Sequence, residues 1–450
     1  GPRAPAGGGH VTEVDLNDVQ ALDLRAREIL RLNDRGGYTV PTDGLYPYQW
    51  NWDSAFAAWG FSVFDTDRAW TELETLFSGQ WPNGMVPHIL FHRPDPGYFP
   101  GPDVWGTEGL GPVPSSGISQ PPVAASLVRR IWARDRAAGE PRARALFPRL
   151  VAWHRWFMEW RCEEGAVVIA HPWEAGRDNA ADWDGAMAAI EPAGLAPYER
   201  RDTAHVDAAM RPTRADYDRY LWLVQLGRRL GWDEAAIRAE SPFRVACPGM
   251  TFILRRATLD LAAMGRALGE DVAELEGWAD RLAEGAAGLW NPASGAFDAR
   301  DARTGRFAGC VSNASFLCWW GGVADARMLE QIDRVWGACA YPVPSLDPAD
   351  PRFDSRRYWR GPVWLVLNAM AGLGLAGAGQ AQAAARLRRQ TAHLVAEHGF
   401  AEYFDPLTGA PAGGGTFTWT AAVWLAWASP TAPAAALAPI GTTGDGGEGG

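Results

Sequence analysis

Apolar positions recur along most of this chain at intervals of three and four, the spacing of one helical face. Between 17 and 33, Val19, Leu22, Leu24, Ile29 and Leu30 form such a stripe behind polar residues suited to an N-cap. Trp153, Trp156, Phe157 and Trp160 stand at i, i+3, i+4 and i+7, which puts four large rings on one face turned to a core. Pro121 and Pro122 are expected to open a helix, where a missing N–H is tolerated. The same period predicts helices near 213–231, 250–267, 270–288, 324–338, 361–376, 379–398 and 417–428. Alternation of period two is scarce, so an all-α chain of roughly a dozen helices is expected.

Long aromatic-rich loops separate these segments at 37–53, 81–119, 165–185, 340–360 and 400–416. Loops of that length with little structure of their own are usually functional. No fixed-period self-similarity supports a solenoid, which leaves a bundle or a closed toroid with its long loops gathered at one mouth. The Gly/Pro/Ala-rich ends, 1–12 and 431–450, read as disordered tails around a single domain at 13–430.

Composition changes this picture at a few points. The chain holds 24 tryptophans, which suits both wide helix packing and flat platforms for a ring-shaped ligand. A net charge of −11 without a Lys/Arg cluster excludes nucleic acid and anionic membranes as partners. No apolar run reaches the roughly 18 residues of a membrane span. No signal peptide is visible at the N-terminus, so a cytoplasmic protein is expected. Cys162, Cys247, Cys310, Cys318 and Cys339 are scattered and odd in number, which favours free thiols over zinc or disulfides. No HExxH, GxSxG or P-loop appears, and no cofactor or metal is called for. A homo-oligomer is compatible with the sequence, which does not select one.

Candidate chemistry lies in the aromatic loops. In YPYQWNWDSAF (46–56), Tyr46, Trp50 and Trp52 offer an apolar floor, with Asp53 gripping hydroxyls or capping the following helix. HPWEAGRDNAADWD (171–184) sets Glu174, Asp178, Asp182 and Asp184 among tryptophans. An apolar wall raises a carboxyl pKa, as a glycosidic general acid requires, although solvated caps fit such a cluster as well. EYFDP (402–406) offers Glu402 as a second carboxylate and Asp405 as a turn starter. Arg211 and Tyr217 in RPTRADYDRY, with RRYWRGPVW at 356–364, suit either a carboxylate clamp or ion pairs at a helix start.

Together, YPYQWNWDSAF, WPNGMVPHI, GISQPP, HPWEAGRDN, RPTRADYDRYL, YWRGPVW and EYFDP…FTWTAA resemble, in order over nearly all of 37–429, bacterial members of glycoside hydrolase family 63. The similarity is greatest to the small enzymes acting on glucosylglycerate and mannosylglycerate. That resemblance implies an (α/α)6 six-hairpin toroid and an inverting α-glycosidase for a small glycoside, with no cofactor. It makes Asp178 the general acid and Glu402 the general base. Tyr46, Trp50, Trp52, Asp53, His88, Gln120, Trp173 and Trp364 would line the sugar subsite. Arg211, Tyr217, Tyr358 and Trp359 would face the aglycone, and Tyr98 would sit on a closing loop. The sequence departs from the family pattern at Arg177 and Ala180, and Thr416 stands where glycerate-specific members carry an amide. A trehalase-like or other α-glucosidase, a toroid epimerase using His88 or His171, and a non-catalytic sugar-binding protein remain the alternatives.

Overall fold

The computed structural model describes residues 14–433; of the expected tails, 1–12 and 434–450 lie outside the described residues. The helices that frame the site are α1 (Leu16–Leu32), α2 (Asn51–Phe61), α3 (Thr66–Phe77), α4 (Ala124–Arg134) and α5 (Arg136–Trp160). They continue as α6 (Arg214–Arg229), α7 (Pro248–Ala267), α8 (Ala273–Ala287), the short α9 (Cys318–Gly321), α10 (Leu365–Gly377), α11 (Ala381–His398) and α12 (Thr418–Val423).

Local chemistry accounts for many of the boundaries. Asp15, Asp65 and Asp135 each accept a backbone N–H at the start of α1, α3 and α5, and Thr213 with Asp216 forms a capping box on α6. In α3, Ala69, Trp70, Leu73, Leu76 and Phe77 are buried at helical spacing and the opposite face is polar. All eleven residues of α2 are buried, as are the first eleven of α10. Helices apolar all round belong inside a protein, not on its surface.

Packing follows a circuit. α2 packs on α4, α4 on α7, α7 on α9, α9 on α10, α10 on α12, and α12 back on α2. Neighbouring helices in sequence back several of these: α3 against α2, α5 against α4, α8 against α7 and α11 against α10, while α1 lies on α12. A contiguous buried core extends from Ala26 to Ala428, and it holds Trp153, Trp156 and Phe157 as their spacing predicts.

The structure differs from the sequence expectation in places. Pro121 and Pro122 precede α4 rather than opening it, since the helix begins at Ala124. The segments expected at 324–338 and 417–428 each pass from α-helix into a wide π turn, at Ile332–Trp336 and Trp424–Ala428. Short antiparallel strands at Cys162–Glu163, Ala166–Ile169, Val245–Ala246 and Arg300–Asp301 form a small sheet, with Val168 opposite Ala246 and Val245 opposite Asp301. Strands this short give too few alternations to read from sequence. All five cysteines are free. Among the described residues no helix is long and apolar enough to cross a membrane.

Candidate active site

The loops converge on two adjoining cavities that share Tyr46, Trp50, Gln120, Asp178 and Tyr358. The first adds His88, Tyr98, Trp173, Arg211 and Tyr217; the second adds Trp52, Asp53, Trp359, Trp364 and Glu402. The fifteen residues that the resemblance assigns to the site all line these cavities, but the grouping differs from the expected one: Trp359 lies with Asp53 and Glu402, and His88 and Trp173 lie with Arg211 and Tyr217. A larger groove, of about 880 Å³, lies apart between Leu195, Tyr198 and Trp222, with Asp103 as the single acid in its wall. It lacks the paired carboxyls that glycosidic chemistry requires.

Each wall has a local cause. Gln49 and Trp50 pair with Leu90 and Ile89 in a two-residue ladder, and the Asn51 N–H donates to the His88 carbonyl, so Trp50 and His88 are held side by side. The Trp52 N–H, free at the start of α2, donates to Gln120 Oε1 at 3.0 Å. Asp53 lies inside the first turn of α2 and caps nothing. His88 spends Nδ1 on Ser116 at 2.6 Å and stacks toward Trp173. Trp359 and Trp364 stack at 3.8 Å, and Trp364 continues onto Tyr403 at 4.7 Å. Tyr358 holds φ of +50°, a strained value for a bulky residue, and its ring lies 4.1 Å under the Arg211 guanidinium.

Four carboxyls compete for attention in 171–184, and the fold separates them. Glu174 is taken by Arg161 at 3.0 Å, Asp182 by Arg177 through two contacts of 3.0 Å, and Asp184 by Arg360 at 2.8 Å. Asp178 alone faces the cavities, and among the described residues no side chain donates to it. Gly176, two residues earlier, turns the chain at φ +67°, and a Cβ there would lie 2.5 Å from the Trp52 ring.

Glu402 is buried in the wall of the second cavity. It accepts from the Tyr46 hydroxyl at 3.2 Å, and its own N–H donates to Gly414 at 2.8 Å. Gly413 is fixed twice over: φ is +72°, and a Cβ would meet Glu402 Oε1 at 2.4 Å. Burial lifts both Asp178 and Glu402 to a pKa of about 7, while Arg211 pulls each down. Glu402 is further lowered by the Tyr46 hydroxyl and the Gly414 backbone, whereas the Glu402 charge raises Asp178. Asp53 is pushed well above the usual carboxylate range by burial and then by the Glu402 charge.

Arg211 is not a surface ion-pair former. It is buried, bonds Asp202 at 2.9 Å through Nε and donates to Tyr46 at 2.9 Å through NH1. Asp202 is shared with Arg200, whose guanidinium covers the Tyr217 ring at 4.0 Å. Tyr220, Phe417 and Trp419 also line the cavities, and Asp202 and Arg200 support Arg211 and Tyr217 from behind; none of the five is singled out by the sequence. Trp419 and Phe417 lie within the FTWT motif, the one signal available for them; Asp202 sits in a polar loop with none. His171 uses both ring nitrogens, accepting from the Trp173 N–H and bonding the Tyr220 carbonyl, each at 3.0 Å. Burial lowers it to about 3, so it is a neutral strut and unavailable as a proton carrier.

Two carboxyls poised near neutrality on aromatic walls, in a helical scaffold, are the equipment of a glycoside hydrolase. The mannosylglycerate hydrolase MGH1-like glycoside hydrolase domain family matches residues 46–420. A mannosylglycerate hydrolase of Selaginella moellendorffii is 46% identical over 423 residues, covering 92% of this chain and 86% of that one. A glucosylglycerate hydrolase of Mycolicibacterium hassiacum is 36% identical over 435 residues, covering 90% and 97%. The crystal structure of the family 63 mannosylglycerate hydrolase of Thermus thermophilus, in complex with Tris and D-glycerate, superposes with a TM-score of 0.86 at 45% identity, covering 89% of this chain and 98% of that one. This chain belongs to that mannosylglycerate hydrolase-like group of glycoside hydrolase family 63.

Proposed function

We propose that the protein hydrolyses a short α-mannoside or α-glucoside, with mannosylglycerate and glucosylglycerate as the best-matched substrates, and inverts the anomeric centre. Asp178 is the general acid that protonates the leaving oxygen; Glu402 is the general base that takes a proton from the attacking water. The observation that carries this reading is the unequal support of two carboxyls lifted to about 7. Glu402 accepts donors that favour its charged form and Asp178 has no side-chain donor. Asp53, whose charged form burial and the Glu402 charge disfavour, lies in the same cavity within reach of a sugar hydroxyl. The circuit of α2, α4, α7, α9, α10 and α12 is read as the inner ring of a six-hairpin toroid in one domain spanning 13–430.

An anionic aglycone suits the Arg211 side of the first cavity, where Arg200 and Arg211 share the single carboxylate of Asp202. Thr416 lines neither cavity and spends its hydroxyl on Thr42 at 3.2 Å, so recognition of a glycerate carboxylate falls to Arg211 and the tyrosines around it. The names of the relatives point to the same substrates, and the five free thiols suit the reducing cytoplasm.

The test is hydrolysis of mannosylglycerate, glucosylglycerate, trehalose and kojibiose, with the released sugar followed by NMR. First-formed β-sugar from an α-substrate supports inversion, and the preferred substrate names the activity. First-formed α-sugar overturns inversion. Hydrolysis of trehalose alone selects the trehalase-like reading, and turnover of none returns a sugar-binding protein.

A further inference from the structure

The aglycone wall and the general base are joined by a continuous chain of hydrogen bonds. Arg211 NH1 donates to the Tyr46 hydroxyl at 2.9 Å, and that hydroxyl donates its single proton to Glu402 Oε2 at 3.2 Å. A phenol that accepts from a guanidinium is a stronger donor onward, because the positive charge polarises its O–H bond. Arg211 therefore acts on Glu402 through Tyr46 as well as through space. Its other contacts hold it in place: Asp202 on Nε, and the Tyr358 ring beneath the guanidinium.

We propose that Tyr46 is a relay by which the charge of the aglycone sets the basicity of Glu402. With a neutral aglycone, Arg211 keeps its full pull on the Tyr46 hydroxyl, and Glu402 is held as a weaker base. When an anionic aglycone pairs with Arg211, the guanidinium field is spent on the ligand, the Tyr46 donor weakens, and Glu402 becomes a stronger base in the complex that reacts. The enzyme thus favours anionic substrates in the chemical step as well as in binding. The charged and titratable groups facing Glu402 are Tyr46, Asp53, Asp178, Arg211, Tyr358 and Tyr403, and of these Tyr46 is the side chain that hydrogen-bonds it. Of the uncharged walls, Gly414 contributes only its backbone.

This inference rests on the reading of Glu402 as the base, and the experiment separates the two. The pH dependence of kcat is measured for a glycosylglycerate and for the corresponding glycosylglycerol, which replaces the carboxylate by a neutral CH2OH group, in wild type and Tyr46→Phe. The acid limb of kcat reports the base in the bound complex. It is expected at higher pH for the glycerate, by about half a unit or more, a typical effect of one neighbouring charge or donor. The gap is expected to close in Tyr46→Phe, which keeps the ring and removes the hydroxyl. No gap in wild type, or a gap unchanged in Tyr46→Phe, overturns the relay; the second result assigns the effect to direct charge interaction. A Glu402→Gln variant that keeps wild-type kcat overturns the base assignment and the relay together.

Discussion

Arg177 and Asp182 face each other through two parallel contacts of 3.0 Å, both side chains almost fully buried, and Arg177 is the residue immediately before Asp178. Arg177 also donates from Nε to Asn313 at 2.8 Å, and Asp182 accepts from Ser312 at 2.9 Å. The backbone that presents Asp178 is thereby tied on one side to a loop more than a hundred residues further along. The Asp182 carboxyl is held below its ordinary pKa despite burial, with Arg177 as the main opposing cause.

Removing one member of this pair strands the other charge in the core. Asp182→Ala is expected to destabilise the protein by about 3–5 kcal/mol, measured as a lower urea midpoint. Because the folded pKa of Asp182 is depressed, its contribution is complete above the usual carboxylate range, near pH 4, and is lost as pH falls through the folded value. The gap between Asp182→Ala and wild type should accordingly narrow in acid, by the titrating part of the cost, and be widest at pH 7.

Asp178→Asn and Glu402→Gln should each lower kcat by about 10²–10⁴, the usual worth of a positioned acid or base. Substrate binding should survive, since the aromatic walls remain; isothermal titration with the best substrate of the panel checks this. Activity retained within a few-fold in either variant would remove that residue from its role.

The Asp178 carboxyl is also expected to weaken the folded protein. Burial raises the Asp178 pKa from 3.8 to about 7, so ionising it costs more in the folded state than in the unfolded chain. That penalty is absent below pH 4, grows through the interval and is complete above about 7. Asp178→Asn is then predicted to raise Tm at pH 8, by an amount on the order of 2–4 kcal/mol of stability, and to do little at pH 4. Equal shifts at both values would show that the carboxyl is not strained by its surroundings.

Gly413→Ala tests the packing around Glu402. The new methyl would fall 2.4 Å from Glu402 Oε1, at a backbone angle that disfavours any side chain. A loss of about 1–3 kcal/mol in stability is expected, with a fall in kcat that exceeds any rise in KM. An unchanged kcat would mean that the glycine loop yields without moving Glu402.

How much is legible in the sequence depends on the element. The stripe of Trp153, Trp156 and Phe157 can be read because the rest of α5 keeps a polar face. Helix α2 reads as the end of a loop, since NWDSAFAAWGF is buried on every side and leaves no period to detect. Helix α3 is absent from the expected set, although its buried positions do recur at helical spacing. Trp419 is visible inside its motif, whereas nothing about Asp202 distinguishes it from any other acidic loop residue until Arg200 and Arg211 close on it.

The sequence by itself determined the helical class, the ordered motifs and most of the aromatic and acidic residues that meet at the site. These follow from local properties: apolar spacing, side-chain type and short-range order along the chain. The tertiary structure alone decided which carboxyl in 171–184 has no arginine bonded to it, and that Tyr46 reaches a glutamate 356 residues away. Ionisation is governed by what lies within a few ångströms in space, and a linear sequence does not record which distant loops come that close.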